Sequence, residues 1–577
     1  MPSSVASSQK YDKNLDENHV VLADNVSLDS EHRNVGGAPV EDDSPLGKDD
    51  VGWWTAVFLN FSQMIGTGIF STPGTILRQT GSFGLAMFFW VFGFLLSAAG
   101  LAYFTEFLAL FPNRAGSEVA YLEQGFKRPK FLFPVSFAVI TIILGFASSN
   151  ALVCGEYVLY SRGIPAPSAT HPWEMRGIAV AAYGIACIIV VAHNRTAMWF
   201  SNVFSAVKVG ILLFIVVTGW AVLGGSTRVE NPHANFTNSF DGSSNDANGI
   251  ALALINVLFA YQGWNNVNNV ANEMRNPLRT VKTAGPTALG IVFFLYIFAN
   301  IAYISAVPVE EAKQSGQLLA AKFFTAVFGD YAGTRVLPVF VVISAFGNLI
   351  SVAIGQARVF REVARQGIFP FARFFSSTKP FGTPAAPMLL KFILTSIIII
   401  GPPAGDAFQL IVGIQSYPNR LFDFLIVIGL FLIRRRRSKA GLPRPEFKAW
   451  DVALYISVLA NILLLVMPWV PPTGSQPYKS FPYYVPWVTG LGILFICFGY
   501  WGIWALVLPR VFGYKIYEEV VQLSKRELSK RFVHVYHDSR GDAYRARLRE
   551  EASRPQPGEE VDPIDEKKEV HDGSVRV

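Results

Sequence analysis

The sequence predicts an all-α polytopic membrane protein with about twelve transmembrane helices. Hydrophobic residues make up 51% of the chain and charged residues only 16%, whereas a soluble chain carries about a quarter charged residues. The apolar residues occur in runs of roughly 18 to 25, the length that crosses a bilayer core of about 30 Å. Such continuous runs exclude a closed β-barrel, whose strands would show short alternating segments.

The hydropathy pattern divides the chain into a membrane domain between two polar tails. Residues 1–50 are predicted to be a disordered cytosolic tail, residues 51–510 the transmembrane domain, and residues 511–577 a second cytosolic tail. The predicted spans, numbered 1 to 12 along the chain, run approximately over residues 53–77, 83–111, 131–160, 175–192, 197–224, 249–271, 284–306, 334–357, 386–402, 406–433, 450–470 and 483–508.

The orientation follows from lysine and arginine, which are concentrated in the loops after predicted spans 2, 6, 8 and 10, the last beginning with RRRRSK. Because cytoplasmic loops carry this excess, we expect both tails in the cytosol. The net charge of +7 follows from the same distribution and does not indicate a nucleic-acid partner. The triplet Asn235-Phe236-Thr237 lies in the outward loop after span 5 and is a candidate glycosylation site.

The sequence contains no enzymatic or metal-binding pattern. The three cysteines, Cys154, Cys187 and Cys497, fall inside apolar runs and lack the spacing of metal ligands. The absence of a P-loop excludes an ATP-driven pump of the cassette type. We therefore expect neither an enzyme nor a bound metal or cofactor.

Two predicted spans are interrupted by glycine-rich or polar stretches. Span 1 contains FSQMIGTGIFSTPG, which places Gly66-Thr67-Gly68 near mid-membrane, and span 6 turns polar at Ala260-Tyr261-Gln262-Gly263. Paired interruptions five spans apart predict an inverted repeat of spans 1–5 against spans 6–10, with a binding site between the broken helices. The alternative is that Gly66 and Gly68 only permit close helix packing or a kink.

The residue types at the breaks favour a small zwitterionic ligand. A broken helix leaves N–H and C=O groups unpaired in hydrocarbon, each at a cost of several kcal/mol. A carboxylate pairs with free N–H groups at the start of a half-helix, where the helix dipole is positive, and an ammonium pairs with free carbonyls. Glycine permits the unwound backbone and lets a ligand approach it closely.

The residues around both breaks resemble those of the amino acid–polyamine–organocation superfamily. The resemblance rests on IGTGIFSTPG and AYQGWNNVNNVANEMRNPLRTVKTA, and on the loops TEFLALFPNRAGSEVAYLEQGF and GQARVFREVARQGIFP. Within the superfamily, LNFSQMIGTGIFSTPG and FPNRAGSEVAYLEQGFKRPKFLFP look most like the fungal high-affinity methionine permeases, relatives of the L-type amino acid transporters. The resemblance covers roughly residues 50–510 and implies a LeuT-type fold with a five-plus-five inverted repeat and broken helices 1 and 6.

The resemblance implies uptake of a neutral amino acid across the plasma membrane by proton symport and alternating access. Methionine is the expected substrate, and protons and membrane lipid are the other expected partners. Two other functions stay open: a nutrient receptor that binds an amino acid without transporting it, and an exchanger without proton coupling. Relatives also suggest ubiquitin-ligase adaptors acting at tail lysines, for which Lys10, Lys13 and Lys48 are available.

Transferred position by position, the resemblance indicates substrate-binding residues at both breaks. The candidates are Ile65, Gly66, Thr67, Gly68, Ile69, Phe259, Ala260, Tyr261 and Gln262. Residues 66–68, with Ile69 adjoining, match the carboxylate site of the family. The amine-binding carbonyls match Ile65, Phe259 and Ala260.

Three further comparisons with the family concern the walls of this site. Phe259 also matches the aromatic gate that covers the substrate, and Met64 is a weaker candidate for an amine-binding carbonyl. Gln262 stands where L-type relatives have glycine. The larger side chain argues against a substrate of tryptophan size and leaves a narrow, unbranched one such as methionine.

Lys208 is the candidate coupling residue. It lies about fifteen residues after His193, roughly 20 Å along a helix that crosses about 30 Å. A lysine near mid-membrane costs about 2.5–3.5 kcal/mol on insertion scales and is usually functional. The resemblance implies that its ammonium replaces the cation of sodium-coupled relatives and braces span 1, and burial would let it follow the coupling proton. The alternative is a fixed structural cation that never titrates.

Overall fold

Helices occupy every predicted span in the computed structural model of the chain. The structure describes residues 20–22, 36–37, 51–111, 117–144, 147–164, 166–225, 227, 229, 231–269, 271, 274–377, 382–473, 477–524 and 527–536. The tail lysines Lys10, Lys13 and Lys48 lie outside these residues.

Nine spans keep one main helix each. These helices are Phe83–Leu110 (span 2), Pro172–Ala192 (span 4), Asn194–Leu223 (span 5), Pro277–Ala306 (span 7), Leu337–Arg365 (span 8), Ala385–Ile400 (span 9), Ala407–Lys439 (span 10), Asp451–Val466 (span 11) and Val485–Gly502 (span 12). By length and composition, nine helices among the described residues can cross a membrane when the two halves of span 3 are counted together. Span 9 is shorter, with 16 residues.

The other three spans are divided into shorter helices. Span 1 comprises Trp53–Met64, Gly68–Ser71 and Pro73–Thr80, span 3 comprises Leu132–Ile143 and Ala147–Ser161, and span 6 comprises Ala247–Ala260 and Asn266–Asn269. The interruptions of spans 1 and 6 confirm the broken helices predicted from the sequence. The end of the first span 3 helix was not predicted: Leu144 leaves the helical conformation with φ −96° and ψ 104°.

Shorter helices connect the spans. They are Ser117–Gly125, Pro167–Thr170, Val309–Gln314, Leu319–Phe328 and Ala372–Ser376, and a further short helix, Leu508–Phe512, follows span 12. Spans 3 and 8 pack against each other, and span 7 packs against the first helix of span 1 and against spans 2 and 5. The apolar side chains left exposed on spans 11 and 12 face outward, as expected for surfaces in contact with lipid.

A small sheet joins the two tails. Its strands are β1 (Val20–Leu22), β2 (Gly36–Gly37), β3 (Tyr514–Ser524) and β4 (Glu527–Tyr536), in the order β1-β3-β4-β2. β3 and β4 form an antiparallel hairpin, β1 pairs with β3 in parallel, and β2 pairs with β4 in antiparallel orientation. The sequence predicted a disordered first tail and a polar second tail, and it did not predict these strands.

The hairpin is attached to the membrane domain through Phe532. The backbone N–H of Phe532 donates to the carbonyl of Gln366 at 2.8 Å, directly after span 8. The Phe532 ring packs on Phe131 and Trp504, with ring centroids 4.8 and 5.4 Å away. Because β1 and β2 pair with this hairpin, the described strands of both tails lie at the same end of the helical bundle.

The candidate glycosylation site has a structural role in the loop after span 5. The Asn235 amide donates to the carbonyls of Ile304 and Val307 at 2.7 and 3.0 Å, and its oxygen accepts from the N–H of Val309 at 3.3 Å. These bonds hold the loop against the end of span 7. The amide nitrogen that a glycan would occupy is therefore already used in the fold.

Candidate functional site

The break in span 1 removes five consecutive helical hydrogen bonds. An uninterrupted helix would pair the N–H groups of residues 66–70 with the carbonyls of residues 62–66. Ile65 instead leaves the helical conformation with φ −79° and ψ 79°. The N–H of Gly66 turns back to the carbonyl of Met64 at 2.9 Å. The remaining backbone groups therefore need partners from elsewhere.

Neighbouring spans supply partners for two carbonyls at the end of the first half-helix. Asn348 of span 8 donates its amide to the Gln63 carbonyl at 2.9 Å. The Tyr296 hydroxyl of span 7 lies 2.7 Å from the Met64 carbonyl and 3.1 Å from the carbonyl of Ala260 in span 6. A single phenol therefore links the two broken helices.

At the other side of the break, one side chain accepts from the start of the second half-helix. The Asn150 oxygen of span 3 accepts from the Thr67 hydroxyl at 2.9 Å and from the Thr67 N–H at 3.4 Å. Among the residues that the structure describes, the N–H groups of Gly68 and Ile69 and the carbonyl of Ile65 make no hydrogen bond. These groups are the donors and the acceptor left for a ligand.

The break in span 6 lies directly against the break in span 1. Residues 261–265 form turns after the helix ends at Ala260, and Gly263 has φ +112°, a conformation that side chains rarely adopt. A Cβ atom at Gly263 would lie 2.6 Å from the Gln63 side chain. Asn265 then donates to the half-buried carboxylate of Glu118 at 2.6 Å, which attaches the unwound segment to the loop helix Ser117–Gly125.

The glycines of span 1 are required by protein contacts even without a ligand. A Cβ atom at Gly68 would lie 2.7 Å from the Ala260 Cα atom, so the two breaks approach backbone to backbone. A Cβ atom at Gly66 would lie 2.6 Å from the Asn348 amide nitrogen and 3.3 Å from the Asn150 oxygen. The alternative of close packing therefore applies at Gly68, in addition to any approach by a ligand.

A small cavity lies between the broken helices and spans 3 and 8. It is lined by Gln63, Met64, Gly66, Thr67, Gly68, Asn150, Phe259, Gln262, Asn348 and Val352. Five predicted site residues are therefore brought together: Gly66, Thr67, Gly68, Phe259 and Gln262. The weaker candidate, Met64, also lines the cavity.

The other four predicted residues do not line this cavity. Ile65, Ile69 and Ala260 are buried beside the two breaks, next in sequence to residues that line the cavity. The Tyr261 ring points away and packs against Trp90 and Tyr296, with centroids 5.8 and 5.3 Å away. Sequence reasoning predicted the breaks but could not determine the direction of each side chain.

Lys208 is fully buried, and its position agrees with a brace for span 1. Its ammonium donates to the Ser62 carbonyl at 2.9 Å, one of the acceptors released by the break. The Ser62 hydroxyl belongs to a cluster with Ser201 and Ser351, and the last two hydroxyls lie 2.8 Å apart. The cluster joins spans 1, 5 and 8 beside the lysine.

The comparisons with known proteins identify the family. The sequence model of the family described as "Amino acid permease" matches residues 51–495. The chain belongs to the amino acid permease family. The permease is 35% identical over 91% of its length to the high-affinity methionine permease of Saccharomyces cerevisiae, of which 90% is covered.

Two further relatives of the permease are also transport proteins. It is 29% identical to the low-affinity methionine permease of S. cerevisiae over 83% of its own length and 86% of that relative. It is 29% identical to the b(0,+)-type amino acid transporter 1 of Mus musculus over 80% of its own length and 90% of that relative. These relatives support amino acid transport and a membrane protein that is not an enzyme.

A second, smaller cavity adjoins the first. Phe259 and Gln262 line both cavities, and the second is also lined by Ile255, Leu258, Ser416, Asn419 and Arg420. The Phe259 ring stands at 90° to the ring of Phe408, with centroids 5.8 Å apart. Phe259 and Gln262 therefore lie between the two spaces.

Sequence reasoning missed several polar residues of the permease whose side chains form hydrogen bonds with the backbone at the helix breaks. Nothing in the sequence singled out Asn348. The polar run Ser148-Ser149-Asn150 within span 3 does not indicate whether its side chains line a site or pair with neighbouring helices, and in the structure Asn150 does both. Lys391 of span 9 was also missed: it is buried and donates to the Thr141 carbonyl at 2.8 Å, near the end of the first span 3 helix. The available signal was a lone cation inside the apolar run APMLLKFILTSIIII.

Proposed function

We propose that the permease takes up a neutral amino acid, with L-methionine as the first candidate, across the plasma membrane by proton symport and alternating access. The observation that carries the proposal is the pair of adjoining helix breaks with unpaired donors and an unpaired acceptor beside one cavity. A molecule that carries both a carboxylate and an ammonium satisfies both kinds of group at once. The names of the two yeast relatives support methionine.

In this proposal the substrate carboxylate binds the N–H groups of Gly68 and Ile69, beside Thr67. The ammonium binds the carbonyl of Ile65, with the carbonyls of Phe259 and Ala260 close to the same break. The Phe259 ring covers the substrate, and Gln262 limits the space for its side chain. Tyr261 contributes to the site only through its backbone, which begins the turn in span 6, because its ring packs against Trp90 and Tyr296.

Transport then requires the broken helices to move against the more continuous ones. Spans 1 and 6 tilt relative to spans 3 and 8, which stay in place as the scaffold. Such a motion is expected for a transporter built from an inverted repeat. Lys208 follows the coupling proton, because its only described hydrogen bond is to a carbonyl of the moving span 1. Both tails lie in the cytosol, where ubiquitin-ligase adaptors reach their lysines.

Uptake into proteoliposomes tests the proposal directly. Purified permease is reconstituted, and labelled methionine uptake is measured with an acidic outside pH while valinomycin and potassium clamp the membrane potential. We expect methionine to reach a higher concentration inside the vesicles than outside, and a protonophore should abolish this accumulation. Competition by unlabelled neutral amino acids then ranks the substrates. Uptake that depends on internal amino acid instead of pH identifies an exchanger, and binding without uptake identifies a receptor.

A further inference from the structure

The side chains of Asn150 and Asn348 lie between two backbone groups that would pair in an uninterrupted span 1. In an α-helix the N–H of Thr67 donates to the carbonyl of Gln63, four residues earlier. Here Thr67 donates to the Asn150 oxygen, the Asn150 amide donates to the Asn348 oxygen at 3.0 Å, and the Asn348 amide donates to Gln63. All three hydrogen bonds run from donor to acceptor in the same direction as the missing helical bond, from Thr67 towards Gln63.

We propose that Asn150 and Asn348 form an amide bridge, a positioning device that replaces the Thr67–Gln63 helical bond and holds the span 1 break open for the substrate. The identity of that substrate rests on the proposed function, but the bridge itself rests on hydrogen bonds within the chain.

The burial of the bridge explains why it requires amides. Asn150 and Asn348 are both buried, on spans 3 and 8, where an unpaired donor or acceptor is costly. Each asparagine must accept on one side and donate on the other, which a carboxylate or an aliphatic side chain of the same size does not do. The Asn348 amide nitrogen also donates to the Ser62 carbonyl at 3.1 Å, which adds a second contact at the carbonyl end.

The bridge divides the backbone groups of the break into two sets. It occupies the Thr67 N–H and the Gln63 carbonyl. The next two N–H groups, of Gly68 and Ile69, have no partner among the residues that the structure describes. The width of the two amides therefore sets the distance between the half-helices. It also places the Asn150 oxygen beside the proposed carboxylate position, so a negative charge at residue 150 would repel that carboxylate.

Equilibrium binding to the purified permease tests this role. The probes are labelled L-methionine and L-methioninol, which keeps the ammonium but has no carboxylate. Asn150→Asp keeps an acceptor for Thr67, loses the donor to Asn348 and adds a negative charge. We expect the Kd for methionine to rise about tenfold or more, because the variant loses a buried hydrogen bond and its carboxylate repels the carboxylate of methionine. The Kd for methioninol, which has no carboxylate, should change much less.

The matched control is Asn300→Ala in span 7. Asn300 is equally buried, but its amide donates to the Tyr296 carbonyl of its own helix at 2.7 Å and does not touch the bridge. The ratio of the two Kd values should stay unchanged in this variant. An equal shift for both probes in Asn150→Asp, or no shift, would overturn the positioning role.

Thermal melting without ligand tests the bridge independently of the substrate. Asn150→Ala and Asn348→Ala each break the same chain of hydrogen bonds, so the double variant should melt no lower than the less stable single variant. Additive losses of melting temperature would show that the two amides act separately and would refute the bridge. If the unaltered permease binds neither probe, the proposed substrate is wrong, while the melting comparison still decides the bridge.

Discussion

Tyr296→Phe removes the single hydroxyl that links the two broken helices. Tyr296 is fully buried, and its hydroxyl lies 2.7 Å from the Met64 carbonyl and 3.1 Å from the Ala260 carbonyl. The Met64 carbonyl keeps the N–H of Gly66 at 2.9 Å after the change. The Ala260 carbonyl has no other donor among the described residues, so the change leaves one buried acceptor unpaired.

The expected cost follows from that unpaired acceptor. Leaving a buried hydrogen-bonding group without a partner costs about 1–3 kcal/mol. Phenylalanine keeps the ring contacts of Tyr296 with Trp90 and Tyr261, whose centroids lie 5.5 and 5.3 Å away, so packing should not add to the loss. We therefore expect the free energy of unfolding to fall by about 1–3 kcal/mol.

Tyr303→Phe provides the matched comparison two helical turns further along span 7. Tyr303 is also fully buried, but its hydroxyl has no hydrogen-bond partner in the described part of the chain. Removing an unpaired buried hydroxyl should leave stability unchanged or raise it. Thermal melting of both purified variants at one fixed heating rate measures the difference. Equal melting midpoints for the two variants would refute the link between the breaks.

Three further predictions concern coupling, packing and pH. Lys208→Met should flatten the pH dependence of methionine uptake in proteoliposomes, since it removes the buried ammonium at span 1. Gly68→Ala should abolish uptake because its Cβ would lie 2.7 Å from the Cα atom of Ala260, whereas Gly290→Ala, with no atom within 4 Å, should retain uptake. Burial raises the pKa of the Glu118 carboxyl, against the opposing effect of its hydrogen bonds, so the folded protein holds that proton more tightly than the unfolded chain does. Stability should therefore fall as pH rises above the ordinary carboxyl pKa, and Glu118→Gln should reduce that fall in melting curves recorded across pH.

Each of these experiments has an outcome that contradicts its reasoning. An unchanged pH profile with intact uptake in Lys208→Met would leave the lysine a purely structural cation. Normal uptake by Gly68→Ala would mean that the two breaks separate enough to accept a methyl group. A melting curve for Glu118→Gln with the same pH slope as the unaltered protein would show that this carboxyl does not titrate differently on folding.

The positions of the helix breaks were predictable because they depend on local composition. Gly66-Thr67-Gly68 and the polar stretch from Tyr261 interrupt otherwise apolar runs. A regular helix that continued through these residues would be less stable. The partners of the broken backbone could not be predicted in the same way. Asn150, Asn348 and Tyr296 come from three other spans, and nothing in their own neighbourhoods indicates which face of each helix turns inward.

The structure of the two tails was likewise only partly predictable from the sequence. Charge and low hydrophobicity predicted polar segments outside the membrane, but the hairpin Tyr514–Tyr536 and its pairing with Val20–Leu22 join residues about 500 positions apart in the sequence. Local composition carries little information about such a pairing. The contact of Phe532 with Phe131 and Trp504 likewise depends on how the spans are arranged.

The sequence by itself determined the membrane class, the number and order of the spans, and the two places where a helix must stop. These properties follow from the transfer of apolar side chains into hydrocarbon and from backbone preferences, both of which act within a few residues. Only the tertiary structure decided which released N–H and C=O groups are paired and which remain for a ligand. That division depends on hydrogen bonds of about 3 Å between helices far apart in the chain, and such bonds form only when the helices are packed in one arrangement.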